Sequence, residues 1–234
     1  MGGYHVPNRG TNSQIYVAIA SKLQIPSEFD CVSDSSGQYD GIFPEFFHGF
    51  YKGSTYGIDI GVIYRNKKWM LSFHALNKAT KNPQDPLSGE EKVVSLTAGQ
   101  TYVLKSSLVP PNYLRTSIET TGGSVLGIFD IYITQNAYNA FAAGAAINRE
   151  CCIAANRNPY IPSAAYYKNA KFFESTLTTT SGTYVKMSTS NSRRNIYSDD
   201  GTIDSTRYRY SESETNGYVS DTSSISFRNP IGLP

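Results

Sequence analysis

The sequence predicts an all-β protein, an antiparallel β-sandwich or jelly roll carrying one short helix. Short runs rich in Val, Ile, Tyr, Phe and Thr recur along the chain between Gly, Asn and Pro turn residues, the spacing of a sandwich rather than of βαβ units. Only 137–146 is Ala-rich and free of β-branched residues, so the helix is expected there. No apolar run approaches a membrane span, and 234 residues suffice to bury a full core as one unit.

Taken in order, strands are expected at 15–20, 57–64, 68–76, 92–97, 101–108, 113–120 and 125–133. After the helix they continue near 147–154 and at 171–178, 183–189, 202–210 and 223–227. No linker, composition break or repeat divides the chain. Residues 1–13 and 229–234 read as loose termini around a single domain over 14–228.

One hairpin can be registered from the sequence. A two-residue turn at Asn66-Lys67 sets Tyr64 opposite Trp69, Val62 opposite Leu71 and Ile60 opposite Phe73. These large apolar pairs share the face expected to be buried. The opposite face then carries Ile63 with Met70, Gly61 with Ser72 and Asp59 with His74, which places a carboxylate beside an imidazole away from the apolar layer. The same alternation sets Ile147, Cys151 and Ile153 against Asn148, Glu150 and Cys152. On 113–120 and 125–133 it exposes Arg115, Glu119, Asp130 and Tyr132. If these strands share a sheet, Asp59, His74, Arg115, Glu119, Asp130, Tyr132 and Glu150 line one polar face, a common ligand platform. Tyr208 and Tyr210, alternating with Arg207 and Arg209, offer rings that stack on sugars or pack into the second sheet.

Composition limits the partners. The chain has 21 Lys+Arg against 19 Asp+Glu and only 17% charged residues, which argues against nucleic acid and anionic membrane. The three cysteines, Cys31, Cys151 and Cys152, form no disulfide framework, and no CxxC or Cys/His spacing suits zinc. No metal or cofactor is therefore expected. The acidic stretches around Asp199-Asp200-Gly201 and around Asp30, Asp34 and Asp40 lack the calcium-loop spacing; an Asp-Gly turn accounts for the first. The opening Met1 to His5 shows no signal peptide, and the chain reads as soluble.

Four segments in order carry a family resemblance: Gly57-Ile58-Asp59-Ile60-Gly61-Val62, Trp69 to His74, Leu96-Thr97-Ala98-Gly99-Gln100 and Ile147-Asn148-Arg149-Glu150. Over roughly 57–190 the chain resembles the concanavalin A-like sandwiches, and within them it is most similar to the glutamic peptidases. The resemblance implies that Asp59 stands where the family has its catalytic glutamine, that Gln100 replaces an aspartate, and that Glu150 matches the catalytic glutamate.

Three functional readings follow. The first is a non-catalytic, lectin-like module binding carbohydrate or another small ligand through Asp59, His74, Arg115, Glu119, Asp130, Tyr132, Tyr208 and Tyr210. The alternative is a hydrolase, glutamic-peptidase-like or a glycosidase, using Asp59, His74 and Glu150. The third is a structural or self-assembling protein forming a homo-oligomer through Tyr-rich strands.

Overall fold

A computed structural model describes residues 2–32, 41–75, 92–155, 165–199, 201 and 204–227. The strands in chain order are β1 (Gly2–Thr11), β2 (Tyr16–Gln24), β3 (Glu28–Asp30), β4 (Ile42–Lys52), β5 (Tyr56–Arg65), β6 (Lys68–Ala75), β7 (Lys92–Val94), β8 (Thr101–Val109), β9 (Tyr113–Thr120) and β10 (Val125–Tyr132). The helix α1 (Gln135–Ala142) follows. Then come β11 (Ala146–Ala155), β12 (Tyr166–Thr179), β13 (Tyr184–Lys186), β14 (Ser192–Ser198), β15 (Tyr208–Thr215) and β16 (Tyr218–Ser226).

Two antiparallel sheets stack as a sandwich. The first runs β14-β1-β11-β4-β5-β6-β7; the second runs β10-β9-β8-β2-β12-β16-β15, with β3 and β13 also paired to β12. Between them Phe46, Val62, Trp69, Leu71, Cys151 and Ile153 of the first sheet meet Leu23, Leu104, Ile118, Phe172 and Ile225 of the second. A continuing cluster joins Phe50, Ile58, Ile60 and Ile147 to Ile19, Leu114, Ile131, Leu177 and Val219.

The β5–β6 hairpin has the expected register, residue for residue, from Tyr64 opposite Trp69 to Asp59 opposite His74. Asn66 and Lys67 both take positive φ, 50° and 61°. That geometry is a type I′ turn, whose twist matches the flanking strands. Helix α1 begins where Thr134 caps the amide of Ala137 and drops Ala137 and Phe141, one turn apart, into the core. It stops short of the expected 146 because Gly144 turns the chain at φ 105° and Ala145 bridges to Tyr16.

Four strands depart from the sequence reading. The opening segment is not loose: β1 is an interior strand between β14 and β11, bulged between His5 and Asn8. Pro7 falls in that bulge, where a missing N–H costs no ladder bond. The central strand β4 shows no alternation because both its faces are covered: Phe43, Phe46, Phe47 and Phe50 are all buried. Its Pro44 pairs with β11 only, since the β5 ladder starts at Glu45. The expected strand at 92–97 shortens to Lys92–Val94. That at 202–210 begins only at Tyr208, after a 3-10 turn over Ser205–Arg207. The tail 229–234, Thr202 and Ile203 lie outside the described residues, as do Asp34, Asp40 and Asp200.

Candidate active site

The outer face of the first sheet carries a cavity of 180 Å³ whose walls include His5, Glu45, Tyr51, Asp59, His74, Glu150, Cys152, Tyr197 and Asp199. Strand register explains the convergence. One row across the sheet reads Gly10, Asn148, Gly49, Asp59, His74; the next reads Asn8, Glu150, Phe47, Gly61, Ser72; the third reads His5, Cys152, Glu45, Ile63, Met70. Asp59 on β5 and Glu150 on β11 thus flank β4 in adjacent rows, about 12 Å apart at the backbone. Glycine keeps the space between them open. A side chain at Gly49 would meet the Tyr51 ring and the Asp59 carboxylate at 2.3 and 2.6 Å.

The two carboxyls have unlike neighbours. Glu150, 1% exposed, contacts the Nδ1 of His5. The other ring nitrogen of His5 lies 3.2 Å from Asp199, and Tyr197 stacks on the ring at 4.3 Å. Burial works against the imidazolium, but Glu150 first, with Asp199, outweighs it and holds the His5 pKa up at about 10. Burial pushes Glu150 up while His5 pulls it back. Asp59 has no such cation: it accepts a hydrogen bond from the Tyr51 hydroxyl. Burial, and then the nearby Glu150 charge, push its pKa well above the usual carboxylate range. Burial also raises Glu45, to about 7.

Asp59, His74 and Glu150 are therefore brought to one cavity. The expected Asp59–His74 couple is not formed, however. Asp59 is bonded by Tyr51, His74 makes no hydrogen bond among the described residues, and burial lowers the His74 pKa, disfavouring its charged form. The carboxylate-bound imidazole is His5, which sequence reasoning missed because it lies in the segment read as loose. Tyr51 and Glu45 were missed with β4. The cysteine pair splits as alternation requires, Cys151 into the core and Cys152 onto the cavity.

The single polar face does not exist, because the strands expected to build it belong to different sheets. Arg115, Glu119, Asp130 and Tyr132 lie on β9 and β10 of the second sheet. There Arg115 and Asp130 pair with each other at 2.6 and 2.7 Å, and Glu119 pairs with Lys105 at 2.6 Å. Tyr132 sits edge-on to Tyr113 at the same sheet edge. Tyr208 and Tyr210 turn inward against the core, with the Tyr210 hydroxyl 2.6 Å from buried Asp221.

Ligand atoms of His5, Glu150 and Cys152 lie within 4.8 Å of one another, a mixed donor set of the kind zinc accepts. Each is already engaged: His5 by Glu150, and the Cys152 thiol by Glu45 at 3.5 Å. Burial pushes that thiol well above its ordinary range, so it is held as the poorer ligand, S–H. The cluster is organised as a hydrogen-bonded set of acids.

A second, more open groove of 850 Å³ adjoins the cavity at Tyr197 and is lined by Asn8, Gly10, Asn148, Arg193 and Asn195 among others.

Structures of peptidases share this architecture. Two crystal structures of scytalido-glutamic peptidase, one with a peptide-based transition state analog and one with a transition state analog inhibitor, align with TM-scores of 0.51 and 0.53. They are 11% and 10% identical, with 94% and 93% of this chain covered and 97% of each of theirs. SCP-B, a member of the eqolisin family of peptidases in complex with the tripeptide Ala-Ile-His, aligns at TM-score 0.50 and 12% identity over 94% of this chain and 96% of its own. No family model matches the chain, and no curated protein matches its sequence. At these identities the shared property is the β-sandwich fold.

Proposed function

We propose that this protein is an acid-active hydrolase of peptide bonds, with Asp59 and Glu150 as its paired carboxyls. The observation that carries the reading is their unlike compensation within one cavity: a cation beside Glu150, only a hydroxyl beside Asp59. Environments that push two carboxyl pKa values apart assign base and acid. Burial raises Glu150 as well, but His5 pulls it back, so of the two carboxyls Glu150 is the more readily ionised and serves as the general base. Asp59, pushed up by burial and by Glu150, stays protonated and donates to the scissile carbonyl oxygen. A water oxygen then attacks the carbonyl carbon and gives its proton to Glu150. Collapse of the tetrahedral intermediate breaks the C–N bond, and the proton passes from Glu150 to the leaving amine. A protonated aspartic acid presents an O–H donor where the resembling family presents a glutamine N–H, so the substitution retains the function of polarising the carbonyl.

The peptidase folds of the neighbours support this reading over the lectin-like one. So does the loss of the sugar platform, whose Arg115 and Asp130 bind each other. The test is cleavage of a mixed peptide library across pH. Glu150→Gln is expected to abolish cleavage, with loss of about 10³-fold or more. Asp59→Ala is expected to lose most activity. Asp59→Asn keeps a donor and retains a measurable part of it. Wild-type activity falls as rising pH ionises Asp59, and that alkaline limb is absent in Asp59→Asn. Undiminished cleavage by Glu150→Gln would discard the mechanism.

A further inference from the structure

We propose that the groove beside the cavity is an anionic subsite, in which Arg193 selects peptides carrying an acidic side chain a few residues from the bond to be cut. The inference rests on the hydrolytic reading and adds the substrate class.

Arg193 belongs to the same transverse row as Asp59. Across five neighbouring strands the row reads Arg193, Gly10, Asn148, Gly49, Asp59. Two of these positions are glycines on the face that bears the cavity. A side chain at Gly10 would stand 2.6 Å from the Asn148 carbonyl oxygen, and one at Gly49 would strike Tyr51 and Asp59. The glycines leave a trough across the strands, leading from Arg193 to the carboxyls. Amide side chains of Asn8, Asn148 and Asn195 line it, supplying both donors and acceptors suited to a peptide backbone.

The charge in this trough is uncompensated. Arg193 is exposed, and among the described residues no carboxylate lies within ion-pair distance of it. Its neighbour Arg194, which also touches the groove, has its guanidinium 4.9 Å over the Tyr210 ring and is held there. A free guanidinium over neutral amides favours a carboxylate, which it can hold by two parallel hydrogen bonds. The spacing sets the register. From β4, over which a substrate carbonyl reaches both Asp59 and Glu150, to β14 is three strand intervals, about 14 Å or four extended residues. The arginine and the acidic side chain reach toward each other, so the acid falls about two to four residues from the scissile bond.

The test uses fluorescent neutral decapeptides bearing a single Glu, Gln or Lys at each position in turn. Binding is read by anisotropy on the full chain carrying Glu150→Gln, and cleavage on the wild type, near pH 5.5 where a free glutamate is ionised. The Glu peptide is expected to bind about tenfold or more tighter than its Gln counterpart at one position, with the advantage shrinking as salt rises. Arg193→Gln erases that preference, and Arg193→Glu reverses it in favour of Lys. Equal binding of Glu and Gln peptides, or a preference that survives Arg193→Gln, would overturn the subsite. Charge-selective binding without any cleavage sinks the hydrolytic reading alone; cleavage without charge selection sinks the subsite alone.

Discussion

Arg149 and Glu150 are consecutive residues on β11, and they face two opposite electrostatic worlds. Arg149 points into the sandwich. There, with Arg9, it grips Asp221, at 2.6 Å from Arg149 and 2.7 and 3.0 Å from Arg9. All three are at most 1% exposed. The Tyr210 hydroxyl adds a bond to Asp221, and Ser175 and the Val219 carbonyl accept from the two terminal nitrogens of Arg149, while its buried Nε finds no hydrogen-bond partner among the described residues. Burial alone would raise the Asp221 pKa, but Arg149 and Arg9 override it and hold the carboxyl below its usual range. Nearby His48 is kept neutral, its pKa driven down to about 3 by burial and by Arg149, with both nitrogens 3.0 Å from Ser106 and Ser21.

Glu150 points the other way, into a cavity shared with Glu45, Asp59 and Asp199, where His5 is the one cation among the described lining residues. Burial raises both Glu45 and Asp59. The comparison teaches that burial does not decide what a carboxyl does; the count of opposing charges does. Where two arginines meet one aspartate, the charge is locked in and serves the fold. Where four carboxyls, Glu45, Asp59, Glu150 and Asp199, share one imidazolium, protons are held and available, which is the condition acid–base chemistry requires.

The contrast can be broken by neutralising one carboxyl in each region. Asp221→Asn leaves buried Arg149 without its anion and Arg9 with only the partly exposed Glu212, and is expected to cost about 3–5 kcal/mol in urea unfolding. The acid limb follows the same sign. Asp221 has a depressed folded pKa, so its contribution is present above its ordinary 3.8 and disappears as pH falls through the lower folded value. The variant should lack that limb.

Glu45→Gln is the opposite case. The folded pKa is raised from 4.5 to about 7, so the ionised form destabilises the fold as pH rises between those values. Wild type and variant should be equally stable below pH 4.5, and the variant should be more stable by about 3 kcal/mol above pH 7. A variant less stable than wild type at pH 8 would show that the cavity compensates Glu45 after all. The smallest effect belongs to the exposed pair on the second sheet. Despite its two short hydrogen bonds, Asp130→Asn should change stability by less than about 1 kcal/mol, and less again in high salt.

Much of this contrast was legible in the chain. The two apolar stripes of the β5–β6 hairpin set its register, and that register put Asp59 and His74 outward. Alternation along β11 likewise separated Cys151 from Cys152 and set Glu150 on the face away from Ile147 and Ile153. What escaped reading did so for identifiable reasons. β4 is buried on both faces and shows no polar rhythm, while β1 is disguised by Gly, Pro and Asn around a bulge. Losing those two strands meant losing His5, Glu45 and Tyr51, the groups that set the charge state of the candidate dyad.

By itself the sequence determined which side of its own strand each residue occupies, because the pleat has a period of two and depends on nothing distant. Only the tertiary structure decided which strands are neighbours. Sheet membership comes from ladders between segments far apart in the chain, such as β1 with β11 and β14. Those ladders brought His5 to Glu150, left Arg193 above a row of glycines, and carried Arg115 and Asp130 off to the other sheet.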